Sequence, residues 1–173
     1  MRIGFAVVAV VAGAAAAALA PAATSRDRVL RFSVVDRGAA PEESSVRPGY
    51  AFANIADRVN EDPLEQPGRV NPIDYRKFAA VYVLVVRPTS GWTLAVRRLT
   101  LQRRGVTEQV CARVQVSPPR PGQVVTQVKT HSWILVKIPR RAFGASVPDS
   151  VVARDTNGKL LFHLASTRPA VCR

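Results

Sequence analysis

The residues best suited to chemistry in this chain are few: His131 and His163, Cys111 and Cys172, and a scatter of carboxylates. A serine hydrolase needs a nucleophile on a strained turn such as G-x-S-x-G, with a histidine and an acid in reach. Here His131 and Ser132 are adjacent, and neighbours on a strand point to opposite faces. Two histidines leave little for a His-based metal cage, and the sequence has no C-x-x-C and no phosphate-cradling glycine-rich loop. Paired carboxylates would have to come from the N-terminal part, because residues 76–145 hold one acid, Glu108. Both histidines are expected to be structural, with no metal, no cofactor and no catalytic residue. The reading is a binding module, not an enzyme.

Compartment decides what the two cysteines can do. In residues 1–22, Arg2 supplies a positive start, residues 5–19 an unbroken apolar run and Ala20-Pro21-Ala22 a small-x-small cleavage site, the pattern of a secretory signal peptide. The alternative is a retained anchor, but the run is roughly 15 residues, short of the ~20 that cross a bilayer. An exported chain would meet an oxidising periplasm, cell surface or extracellular space, where two thiols have one intramolecular pairing open to them. A Cys111–Cys172 disulfide is therefore expected, pinning the C-terminal tail to the body; two unrelated buried thiols are the other possibility.

The chain carries 25 Lys and Arg against 12 Asp and Glu, a net +13, and the excess is local. Residues 24–75 sum to −2 and residues 76–145 to +12. Basic residues alternating with apolar ones, near Tyr82, Trp92 and Trp133, could suit a nucleic acid, whose bases stack on aromatics. Export argues against that partner. The same field suits an anionic envelope polymer, a lipid headgroup surface or an acidic protein. The candidate basic face is Arg76, Lys77, Arg97, Arg98, Arg103, Arg104, Arg140 and Arg141; a merely solvated strand face is the plain alternative.

The elements that would position these groups read as strands. Residues 28–36 form a first strand, residues 38–49 a Pro, Glu and Ser loop, and residues 54–69 an irregular acidic connection. Residues 77–86 are a continuous apolar, β-branched run, expected to be a central strand, ended by turn residues 87–91. In residues 92–104 the apolar phase slips between Val96 and Leu99, which predicts a β-bulge at Arg97-Arg98. In residues 106–116, Val110, Ala112 and Val114 fall on one face and Cys111 on the other. Residues 117–122 are a rigid turn, and residues 124–130 and 132–138 two more strands. Residues 150–154 and 159–165 flank Asn157-Gly158, a two-residue hairpin signal. About seven or eight short strands without a long helical period predict an all-β fold, a single sandwich or barrel-like domain. Residues 1–22 would be the signal peptide, 23–71 an N-terminal strand and irregular region packed on the main domain, and 72–173 the β domain.

Three blocks within residues 72–143 resemble the PrcB family, named for a subunit of a bacterial surface protease complex. They are the apolar strand 81–86 followed by Pro88-Thr89-Ser90-Gly91-Trp92, the segment Pro121-Gly122-Gln123-Val124-Val125-Thr126-Gln127, and the strand 132–138 ending in Pro139-Arg140. Ser90 departs from the family's glycine and Trp92 from its more usual Tyr. The turn is also similar, at Pro88, Thr89 and Gly91, to a loop of chagasin-type cysteine protease inhibitors. The PrcB resemblance implies association with, or stabilisation of, an exported protease, with Pro88, Thr89, Ser90, Gly91 and Trp92 contacting the partner and Trp92 as an aromatic anchor. Otherwise Trp92 begins a strand and covers the end of the domain.

Overall fold

The computed structural model describes residues 27–41, 47–57, 73–104, 107–163 and 172, without the side chains of Arg104, Phe162 and His163. The signal-peptide segment 1–22 and the acidic stretch 58–72 lie outside these residues. Strands β1 (Arg28–Leu30), β2 (Ser33–Pro41), β3 (Ala51–Ala56), β4 (Phe78–Arg87), β5 (Thr93–Arg104), β6 (Thr107–Ser117), β7 (Thr130–Pro139), β8 (Val151–Asp155) and β9 (Leu160–His163) build an all-β sandwich. One sheet has the order β1-β5-β6-β8-β9 and the other β2-β7-β4-β3. Every ladder is antiparallel except β6–β8, which is parallel.

The hydrophobic core lies between the sheets. Ala79, Val81, Val83 and Val85 of β4 and Ile134, Val136 and Ile138 of β7 face Leu94, Leu99 and Leu101 of β5 and Val110, Ala112 and Val114 of β6. Small and β-branched side chains dominate, which suits close face-to-face packing of two pleated sheets. The opposite face of β4 is also buried. Ala80 and Tyr82 pack with Leu135, Ile73, Tyr75 and Ala56 in a second apolar cluster outside the small sheet. That double burial explains the unbroken apolar sequence of β4, which lies between β7 and β3 as a central strand should.

The expected slip in β5 is a bulge: Val96 pairs with Val114 and Arg98 with Arg113, leaving Arg97 as the extra residue. The insertion returns Leu99 and Leu101 to the core face already used by Leu94 and Val96. Four expectations need correction. The first strand is two: β1 joins one sheet, the chain crosses at Arg31-Phe32, and β2 joins the other. The loop expected at 38–49 is strand as far as Pro41; β2 is an edge strand, so the missing proline N–H costs no ladder bond on its free side. The irregular connection expected from residue 54 begins later, because Ala51–Ala56 pairs with residues 80–85 as β3. Residues 124–129 form no strand: both edges of β7 are taken by β2 and β4, and Val124 is 95% exposed.

The Asn157-Gly158 hairpin exists with a different turn. A type I′ turn needs positive φ at both central residues, yet Asn157 does not have it and Gly158 does, at +85°. The Asp155 carboxylate accepts the N–H groups of Asn157 and Lys159, and the Gly158 N–H donates to the Asp155 carbonyl. Asp155 thereby nucleates a three-residue loop of 156–158, with Gly158 in the left-handed position.

Candidate functional site

The turn at residues 88–92 joins β4 in one sheet to β5 in the other, at one end of the sandwich. Trp92 is half-buried. Its indole Nε1–H donates to Thr89 Oγ1 at 3.2 Å, and its ring carries the Arg87 guanidinium 4.9 Å from the centroid. Burial lowers the Arg87 pKa from its ordinary value. The Ser132 hydroxyl donates to the Trp92 carbonyl at 3.0 Å. Ser90 takes the place of a glycine usefully, since its Oγ accepts the Thr126 N–H at 2.9 Å while its own N–H donates to the Thr126 carbonyl. Gly91 has φ +83°, and a Cβ there would lie 3.0 Å from side-chain atoms of Pro119 and Val125. The turn and the 118–129 loop are thus one fitted unit, and Trp92 is held as a wall within it.

The wall belongs to a cleft of about 570 Å³. Its other sides come from β2 at Gly38 and Ala39, from β5 at Thr93 to Ala95, and from the indole of Trp133 on β7. Gly38 pairs with Trp133 across the ladder, and a Cβ at Gly38 would sit 2.3 Å from the Trp133 ring. Only glycine lets that indole lie over β2. The Trp133 Nε1–H is buried and has no hydrogen-bond acceptor among the described residues. Arg37 and Arg97 stand exposed at the rim, and among the described residues no Asp or Glu lines the cleft. Sequence reading missed Gly38 and Ala39, placed in the loop 38–49, and Arg37, which fell between that loop and the first strand. A glycine directly opposite a tryptophan was the available signal, but it becomes visible only once the register is known.

The seven candidate basic residues whose side chains are described do not share one face. Arg97 and Arg98 sit at the bulge in mid-strand, with Arg97 Nε donating to Gln115 Oε1 at 2.7 Å. Arg76, Lys77, Arg140 and Arg141 gather at the other end of the small sheet, where β4 begins and β7 ends. Arg140 donates to the Asp57 and Tyr75 carbonyls and pairs with the Asp57 carboxylate at 3.3 Å, so it is a structural tie. Lys77 pairs with Asp74 at 3.4 Å and Arg103 with Glu108 at 4.0 Å. The side chain of Arg104 lies outside the described residues.

Cys111 and Cys172 form a disulfide with Cα atoms 5.9 Å apart. Cys111 is on the face of β6 away from the inter-sheet core, as its phase requires, and is buried there. Tyr82 cannot stack on a base: it is 6% exposed, and burial, with Asp36 adding repulsion, pushes its pKa up to about 12. The His131 ring lies against Trp133 at 5.5 Å between centroids, and the side chain of His163 lies outside the described residues. Among the described residues no group of three His, Cys, Asp or Glu side chains could hold a metal ion.

No curated protein and no solved structure matches the chain significantly. Residues 81–139, which run from β4 through the cleft-forming turn to the end of β7, match the family model described as PrcB C-terminal, the family that the three sequence blocks resemble.

Proposed function

We propose that this chain is an exported, non-catalytic binding module that associates with, or modulates, an extracytoplasmic protease or protease complex. The observation that carries the reading is the PrcB C-terminal match over 81–139, which coincides with the strands and the 88–92 turn that frame the Trp92–Trp133 cleft. A site of that size, walled by aromatics and tied to the neighbouring loop, suits capture of a protein segment. The partner contacts are Pro88, Thr89, Ser90, Gly91 and Trp92, with Trp92 shaping a receiving surface. Co-purification of tagged chain from the native envelope fraction tests this. Capture of a protease by the wild type, reduced at least about tenfold by Trp92→Ala with an unchanged far-ultraviolet spectrum, is the expected result. Undiminished capture by the variant removes the turn from the interface.

The alternative reading, binding of an anionic envelope polymer, draws on Arg76 and Arg141 at the far end of the small sheet, beside Lys77 and Arg140, which already pair with Asp74 and Asp57. Binding of that kind must weaken steeply between low and moderate salt.

A further inference from the structure

The cleft lies between two strand edges that no described strand occupies. β1 covers β5 only at residues 99–101, so the stretch 93–97 is paired with β6 on one side and with no described strand on the other. Across the cleft, β2 is paired only with β7. Along an antiparallel strand alternate residues turn their N–H and C=O groups to each side, so a free edge is a row of unused donors and acceptors. The Arg97 bulge interrupts the edge at its far end, while the stretch before it faces a cleft of about 570 Å³, within the ~300–1,000 Å³ of ordinary binding clefts.

We propose that this cleft receives an extended, acidic segment of a partner polypeptide, which adds as a strand to the free edge of β5 at residues 93–97. The inference rests on the binding-module reading above and names the class of partner segment. Three features fit this occupant. Main-chain pairing supplies affinity at β5 without demanding one sequence. Trp92 and Trp133 form apolar walls for alternate side chains. Arg37 and Arg97 at the rim, with no acid lining the cleft among the described residues, favour carboxylates on the other alternate positions.

The test uses the purified chain and a labelled synthetic peptide of about ten alternating Val and Glu residues, a strand-length probe. Saturable binding by fluorescence anisotropy is expected, with slowed amide hydrogen exchange at residues 93–97. The Val and Lys counterpart binds at least about tenfold more weakly, and Arg37→Glu combined with Arg97→Glu narrows or reverses that preference. The same acidic peptide N-methylated at alternate residues, made in both phases, loses at least about tenfold in one phase because it cannot donate to the edge. Binding without protection at 93–97, or equal binding of both methylated forms, overturns the proposal. Protection, without peptide, of those N–H groups in 93–97 that point away from β6 also overturns it: if protection grows with protein concentration a second copy holds the edge, and if it is concentration-independent a segment of this chain does. A peptide that fails to bind, while Trp92→Ala still abolishes protease capture, refutes strand addition and leaves the protease association standing. The converse pattern, peptide binding with no protease captured, supports strand addition and sinks the association.

Discussion

Breaking the Cys111–Cys172 bridge is expected to cost the domain a large part of its stability. The cysteines are 61 residues apart in sequence, and a cross-link over such a loop removes chain entropy from the unfolded state worth about 4 kcal/mol by loop-closure reasoning. Native strain and residual structure in the unfolded chain lower that figure, so about 2–4 kcal/mol is the working range. Typical domains have only about 5–15 kcal/mol in total. The assay is urea unfolding followed by tryptophan fluorescence, for the oxidised chain, the reduced chain and the Cys111→Ser, Cys172→Ser double variant. With a urea slope of about 1–3 kcal/mol/M, the midpoint should fall by roughly 1–2 M in both bridge-free forms. Because Cys111 lies outside the inter-sheet core while Val110 and Ala112 lie within it, the folded β-sheet spectrum should survive in dilute buffer. A midpoint that moves by less than about 0.3 M would refute the reasoning, since it would mean that the bridge constrains a segment already ordered without it.

Three further outcomes follow from the packing. Leu99→Ala removes a fully buried side chain beside the bulge and should cost about 2–5 kcal/mol in the same urea assay. Gly38→Ala places a methyl where the Trp133 ring lies; a loss of about 1–3 kcal/mol with a red-shifted tryptophan emission is expected, and an unshifted spectrum would mean that the indole does not cover β2. Tyr82 has a folded pKa of about 12 against about 10 for an unfolded tyrosine, so its neutral form favours the fold. Its contribution is complete below about pH 10 and is lost as pH rises towards 12; the melting temperature of wild type should fall faster over that window than that of Tyr82→Phe, and parallel curves would refute the assignment.

Features governed by local periodicity were legible in the sequence. The Arg97 bulge could be inferred because Leu94 and Val96 occupy one phase and Leu99 and Leu101 the other, and one extra residue reconciles them. The outward placement of Cys111 followed from the same rule, and the central position of β4 from its unbroken apolar run. Features governed by topology were not. Residues 124–130 have strand composition, yet a strand needs a vacant neighbour, and β7 has none to offer. The Asn157-Gly158 signal located a hairpin but not its turn, because the Asp155 carboxylate selects among turns through bonds that dipeptide frequencies do not contain. The cleft was least legible: its walls come from residues 37–39, 91–97 and 133, and its free edge exists only because the chain crosses between sheets at Arg31-Phe32. The basic residues show the same limit, since the net charge of residues 76–145 put Arg97 and Arg140 in one candidate face that the strands then separated.

The disulfide also decides how the domain bears mechanical force. In the order β1-β5-β6-β8-β9, the strand nearest the C-terminal end is β9, at the margin of its sheet, where a pull would unzip hydrogen bonds one after another. The bridge to Cys111 moves the point of loading to β6, in the middle of that sheet, flanked by β5 on one side and by the parallel strand β8 on the other. Tension applied beyond Cys172 is therefore carried first by two ladders acting together, and β9 is shielded from it. A load applied beyond Cys172 thus has a covalent path into an interior strand of that sheet.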